Sequence, residues 1–328
     1  MTRQILIPAP AHRRVAAALD GLDHELDVLS WAADGVTRAG VDGAGVPVEE
    51  GAARPEAAWL APDVLFSGEL AAMAKAIVDL GSVQWVQGPL AGVDAPPFGW
   101  IRDAGIRLSN SDAPNEGVAE YVLSSLLAVV HDYRARLDAH CERRWAQVPW
   151  TEISSMTWAV IGFGSIGRAV ARRARPFGVE VIGVRRTAVA DDAADRMATL
   201  DQLPDVLGRA DAVILACPLT DETRHLANAD FFAAMKPGSI LVNVARGGVV
   251  DDEALLAALD RGTPGTAILD VFDTEPLPAE DPLWSHPSIV LTSHVAGAGS
   301  GLRPRSDRLF VEQLDNYLAG RPLRLELS

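Results

Sequence analysis

Three residues in the second half of the chain carry groups that could do chemistry together. Arg246, in Val244-Ala245-Arg246-Gly247-Gly248, offers a planar guanidinium fork suited to a bidentate grip on a carboxylate. Glu275, in Asp273-Thr274-Glu275-Pro276, is a carboxylate, and His294, in Ser293-His294-Val295, is an imidazole. A carboxylate beside a histidine stabilises the imidazolium and fixes the ring's orientation. Taken singly, each has an ordinary reading: a surface charge, a solvated turn, a structural histidine. The case rests on all three following apolar runs in one region, because open α/β sheets bind ligands at strand ends.

That region opens on a second signal. Val160-Ile161-Gly162-Phe163-Gly164-Ser165-Ile166-Gly167 places G-x-G-x-x-G between an apolar strand and a helix. Gly162 serves the tight turn, Gly164 lets the backbone approach a pyrophosphate, and Gly167 lets the helix pack on the strand. Ser165 and Ile166, between the second and third glycines, are expected to meet the ligand with them, because unpaired N–H groups at the following helix end favour an anion. The expected ligand is therefore a dinucleotide. The next strand normally ends on an acidic residue that accepts from the ribose 2′-OH. Here it runs into Arg185-Arg186-Thr187, where guanidiniums can pair with a phosphate. NADP(H) is expected over NAD(H).

The elements that must position these residues read as strands at 158–161, 181–184, 213–216, 240–244, 267–270 and 289–291. Helical segments lie between them at 167–177, 200–209, 228–235 and 251–260, which describes a doubly wound parallel sheet. The first hundred residues repeat the βα pattern, with strands expected at 4–7, 64–66 and 83–86 and helices at 15–19 and 68–80. Residues 35–62, rich in Gly, Pro and Ala, read as a loop. A helix-start cluster at 110–115 leads into a long apolar helix to about residue 137, and a terminal helix is expected at 308–318. Trp100 and Trp145 could line a ligand cleft, with core packing the default reading.

Length and charge set outer bounds. The chain has 328 residues, enough for about two domains. A formal net charge of −15 disfavours nucleic acid and anionic membranes as partners. Two cysteines, Cys141 and Cys217, make neither a disulfide framework nor a zinc set, so no metal and a cytoplasmic location are expected. The longest apolar helical stretch, 118–130, carries Glu120 and is shorter than the ~20 residues a membrane span needs.

With these motifs the chain resembles the D-isomer-specific 2-hydroxyacid dehydrogenase family, closest in pattern to NADPH-dependent glyoxylate/hydroxypyruvate reductases. The likeness runs from about residue 83 to 318. It is most specific at 162–167, at Cys217-Pro218-Leu219-Thr220 with Thr223, at 243–247, and from 270–278 through His294. The resemblance implies two doubly wound α/β domains: a Rossmann cofactor domain, residues 108–295, inserted in a flavodoxin-like substrate domain, residues 1–107 and 296–328. It implies that Arg246 binds the substrate's carboxylate and carbonyl oxygen, that His294 is the general acid in ketoacid reduction, and that Glu275 keeps His294 protonated. Leu90, Ala91 and Gly92 would form the substrate-carboxylate loop. Cys217, Pro218, Thr223 and Ala245 would line the cofactor, Asp270 would hold its nicotinamide amide, and His294 would face it. The long helix from Glu116 would pack in a homodimer.

Two departures stand out. Ser293 occupies the place of the family's usual proline before the histidine, and Arg185-Arg186 replaces the acidic residue of NAD-using members. Glu275 argues against formate chemistry, where an amide takes that place. The other readings are a nucleotide-sensing, corepressor-like binding protein and a phosphite or one-carbon dehydrogenase on the same scaffold.

Overall fold

In the computed structural model, residues 2–39, 45–48 and 52–327 are described. The chain divides into two compact units, residues 1–114 with 300–328, and residues 115–299.

The first unit is built on β1 (Arg3–Pro8), β2 (Leu26–Ala32), β3 (Gly35–Ala39), β4 (Gly45–Pro47), β5 (Ala57–Trp59), β6 (Trp85–Gln87) and β7 (Arg107–Ser109). Their order is β4-β3-β2-β1-β5-β6-β7. The five strands β2-β1-β5-β6-β7 run parallel, in the 2-1-3-4-5 order of a flavodoxin-like sheet. β3 and β4 extend the edge antiparallel.

Several expectations change here. Residues 35–62 hold three strands, although 40–44 and 49–51 of that segment lie outside the described residues. Residues 64–66 are not a strand but part of the helix Pro62–Phe66. Proline fits the first helical turn and Asp63 favours its positive end, so the chain turns helical directly after the short, fully buried β5. β7 carries the first unit past residue 107, which is why the division falls at 114/115.

The second unit contains β8 (Thr157–Ile161), β9 (Glu180–Val184), β10 (Arg196–Ala198), β11 (Ala212–Leu215), β12 (Ile240–Asn243), β13 (Thr266–Leu269) and β14 (Ile289–Leu291). All pair parallel in the order β10-β9-β8-β11-β12-β13-β14. This is the 3-2-1-4-5-6 order of a Rossmann sheet with one strand added. Its strands read as unbroken apolar runs because both faces are covered. Along β11, Val213 and Leu215 enter one core cluster while Ala212 and Ile214 enter the other.

The long helix expected to reach residue 137 ends earlier. Asn115–Val130 stops at Asp132, which takes a left-handed φ of 47° and accepts from the Ala135 N–H to start a second helix, Tyr133–Cys141. Trp100 and Trp145 are not core: they are 43% and 95% exposed.

Candidate active site

The glycine fingerprint forms the turn between β8 and the helix Ser165–Ala174. Gly162 has φ +93°, and a Cβ there would stand 2.4 Å from the Cys217 backbone nitrogen. A Cβ on Gly167 would lie 2.6 Å from the Gly162 carbonyl oxygen, so this glycine sets the helix against its strand. Among the described residues, a Cβ on Gly164 would meet nothing within 4 Å. No side chain caps the helix start, so its first N–H groups face outward from the turn.

Beside this turn opens a pocket of about 480 Å³. Of the residues expected to hold a cofactor, Gly162, Gly164, Arg185, Arg186, Thr187, Cys217, Pro218 and Thr223 line it. Burial pushes the Cys217 thiol up to about 11, so it stays neutral there. Thr223 donates to the Pro218 carbonyl at 2.6 Å and shapes the wall. Leu200 and Leu226 add apolar surface. The glycine spacing, the open helix end and the pocket fit a dinucleotide. Ser165, Ile166 and Gly167 form the helix start beside the pocket, while Ala245, Asp270 and His294 belong to the neighbouring strand ends.

Those strand ends carry the three residues expected to react together. Arg246 follows β12, Glu275 follows β13 and His294 follows β14, three adjacent parallel strands, so all three emerge at one sheet edge. His294 Nδ1 lies 2.7 Å from Glu275 Oε2. The other carboxylate oxygen of Glu275 accepts from the Phe272 N–H at 2.9 Å. Both side chains are partly exposed. With Nδ1 engaged, Nε2 is the nitrogen left to meet a ligand.

The backbone beneath His294 is strained, with φ +52°. A non-glycine residue in this region costs of order 1–3 kcal/mol and persists only where its surroundings impose it. Asp270 does the imposing. Its carbonyl accepts from the His294 N–H at 2.7 Å. Its buried carboxylate accepts from the N–H groups of Val295 and Ala296, both at 2.9 Å, and from the Thr292 hydroxyl at 2.6 Å. Thr292 in turn lies 2.7 Å from the Tyr121 hydroxyl. The resemblance implies a cofactor role for Asp270; its carboxylate anchors the histidine loop.

Arg246 is positioned in a comparable way. The buried Asn243 accepts from the Ala245 N–H and donates to the Arg246 carbonyl, both at 3.0 Å. Arg246 Nη1 donates to the Ala245 carbonyl at 2.7 Å. A Cβ on Gly247 would lie 1.8 Å from the Phe272 carbonyl carbon, so only glycine lets this loop press against the one leading to Glu275. Thr292, Tyr121 and Asn243 as supports were missed, because a hydroxyl or amide near a strand end carries no distinctive spacing. Beside the histidine a second pocket of about 380 Å³ is lined by Phe272, Leu277, Trp284, Leu291, Ser293 and His294, among others. Ser293, in place of the expected proline, thus faces open space.

In the first unit, the loop of Leu90, Ala91 and Gly92 follows β6. The Leu90 carbonyl accepts from the Ser111 N–H at 2.8 Å, and the Ala91 carbonyl accepts from the Asn110 side chain at 2.9 Å. These bonds use carbonyls, not the N–H groups of Ala91 and Gly92.

Residues 123–296 match the model of the D-isomer specific 2-hydroxyacid dehydrogenase, NAD binding domain. The chain belongs to the D-isomer-specific 2-hydroxyacid dehydrogenase family. It is 31% identical over 269 residues to glyoxylate/hydroxypyruvate reductase A HPR2 of Arabidopsis thaliana, covering 79% of this chain and 83% of that one. It is 36% identical over 207 residues to the (S)-sulfolactate dehydrogenase of Chromohalobacter salexigens, covering 62% and 67%. A solved D-isomer specific 2-hydroxyacid dehydrogenase from Xanthobacter autotrophicus Py2, in complex with NADPH and MES, superposes with a TM-score of 0.77 at 27% identity, covering 100% and 98%. The chain is thus a dehydrogenase of this family, with a nicotinamide dinucleotide as cofactor. Among the described residues, no helix is long and apolar enough to cross a membrane.

Proposed function

We propose that this dehydrogenase reduces small 2-keto acids of the glyoxylate and hydroxypyruvate kind to D-2-hydroxy acids, with NADP(H) preferred over NAD(H). The observation that carries the reading is the 2.7 Å His294–Glu275 pair, at the sheet edge shared with Arg246.

When bound, the nicotinamide supplies hydride to C2 of the keto acid, or accepts it in reverse. Arg246 grips the substrate's carboxylate and polarises its carbonyl. In the first unit, Leu90 and the N–H groups of Ala91 and Gly92 would offer a carboxylate-binding loop. His294 Nε2 gives its proton to the forming alkoxide, and Glu275 balances the imidazolium charge through Nδ1. Asp270 and Asn243 hold the two loops in place.

The helix start at Ser165, Ile166 and Gly167, with Gly162 and Gly164, would receive the pyrophosphate. Cys217, Pro218, Thr223 and Ala245 would flank the rest of the cofactor, and Asp270 would hold the amide end through the loop it anchors. Arg185, Arg186 and Thr187 would receive the 2′-phosphate. The absence of a carboxylate at the end of β9 supports NADP(H), as does the NADPH complex of the Xanthobacter relative.

We further take the unit of residues 1–114 and 300–328 as substrate-binding and that of 115–299 as cofactor-binding, in place of the expected 1–107 with 296–328 and 108–295. The protein is read as a cytoplasmic homodimer. Exposed Tyr133, Leu137 and Trp145 on and after the helix Tyr133–Cys141 support a partner surface.

The test is steady-state turnover of a 2-keto acid panel that includes glyoxylate and hydroxypyruvate, with each cofactor in turn. The proposal expects a lower KM for NADPH than for NADH; an equal or lower KM for NADH overturns the preference.

A further inference from the structure

We propose that Arg168 is a third guanidinium of the 2′-phosphate site, acting with Arg185 and Arg186 to set the cofactor preference. The inference rests on the NADP(H) reading above.

Arg168 directly follows Gly167, in the first turn of the helix Ser165–Ala174. Side chains on a helix tilt toward its N-terminus, so a long one in the first turn reaches back over the glycine turn. Arg168 lines the same pocket as Arg185 and Arg186. Its Nη1 donates to Asp191 Oδ2 at 3.2 Å. Asp191 lies in the segment that follows the arginine pair, where its other oxygen accepts from the Ala193 N–H at 3.1 Å. The guanidinium is therefore steered from behind, across the gap between the helix and the end of β9.

The two arginines read from the sequence are held by other partners. Arg185 is folded onto its own loop, with Nε donating to the Thr187 carbonyl at 2.9 Å and Nη2 to the Val189 carbonyl at 3.4 Å. Arg186 has a 72% exposed side chain and pairs with Glu222 at 3.3 Å across the pocket mouth. Of the three, Arg168 alone is rooted in a helix, beside the turn that fixes the pyrophosphate. Three guanidiniums face one pocket, and two of them are balanced by Asp191 and Glu222. A phosphate dianion satisfies the spare donors of such a set, whereas a ribose hydroxyl brings no charge to them. Arginine forks serve phosphate better than lysine does because they present paired N–H groups in a plane.

The test is calorimetric binding of 2′,5′-ADP and of 5′-AMP to the wild-type protein, R168Q and R168K, with melting midpoints to confirm folding. Arg168→Gln should weaken 2′,5′-ADP by about 10–100-fold while moving 5′-AMP by no more than about twofold, the range expected for losing one charged hydrogen-bonding partner. Arg168→Lys, which keeps the charge, should recover part of the loss; it also carries the test if the glutamine variant fails to fold. Equal weakening of both nucleotides, or no change in either, overturns the role of Arg168. If the wild-type protein itself shows no preference for 2′,5′-ADP, the NADP(H) reading fails first.

Discussion

His294 and Glu275 face each other through Nδ1 and Oε2 at 2.7 Å, and Glu275 is itself held by the Phe272 N–H. The carboxylate is therefore placed to orient the ring, and under the proposed mechanism it balances the charge of the imidazolium. Glu275→Gln keeps the shape and one hydrogen bond but removes the balancing charge. kcat for ketoacid reduction should fall by about 10²-fold, the lower end of what acid–base catalysis contributes. The cofactor KM should stay unchanged, because the dinucleotide pocket is lined by other residues. Steady-state kinetics check both; an unchanged kcat removes Glu275 from the mechanism.

Two glycines of one motif should behave oppositely. Gly164→Ala adds a methyl where no protein atom lies within 4 Å, so the melting temperature of the free protein should hardly move while cofactor affinity falls by at least about tenfold. Gly167→Ala forces a methyl to 2.6 Å from the Gly162 carbonyl, so stability itself should drop by about 1–3 kcal/mol. Thermal melts with and without cofactor separate the two cases. A large destabilisation of free Gly164→Ala would contradict the open space seen at that position.

Asp252 gives the fold a pH signature. At the start of the helix Asp252–Leu259, burial pushes its carboxyl up to about 6 from 3.8, with Asp281, Asp273 and Asp251 adding repulsion. Between those values the folded chain binds more protons than the unfolded one, so stability falls as pH rises. The contribution is complete below about pH 4 and is lost as pH passes about 6. Asp252→Asn should therefore stabilise the protein by about 1 kcal/mol at pH 7–8, after allowance for solvent screening and the helix end, and by almost nothing at pH 4. Denaturant titrations at the two pH values check this.

The legible parts of the molecule were those written in local pattern. The second sheet was readable because each of its inner strands is an apolar run between helices, and the glycine turn because its three positions have separate steric reasons. Arg246, Glu275 and His294 were picked out by type and by their place after strands. The antiparallel edge of the first sheet was not readable. Its strands β3 and β4 pair only with neighbours at one edge, and glycine, proline and alanine in that stretch mimic a loop. The helix Pro62–Phe66 read as a strand because its apolar residues are too few to show a period. Arg168 was missed because a charged residue after the third glycine looks like helix surface until the loop bearing Asp191 is folded over it. The anchoring by Asp270 was hidden for a similar reason: its donors come from residues 22–26 positions further along the chain.

The most direct measurement is the turnover of glyoxylate and hydroxypyruvate by the wild-type protein and by His294→Ala, at saturating NADPH, with cofactor binding and melting temperature measured alongside. If His294 is the proton donor, the wild type reduces at least one of these keto acids. The variant should then bind cofactor and fold normally while losing about 10²–10⁴-fold in kcat. Ketoacid reduction by the variant at the wild-type rate would contradict the account.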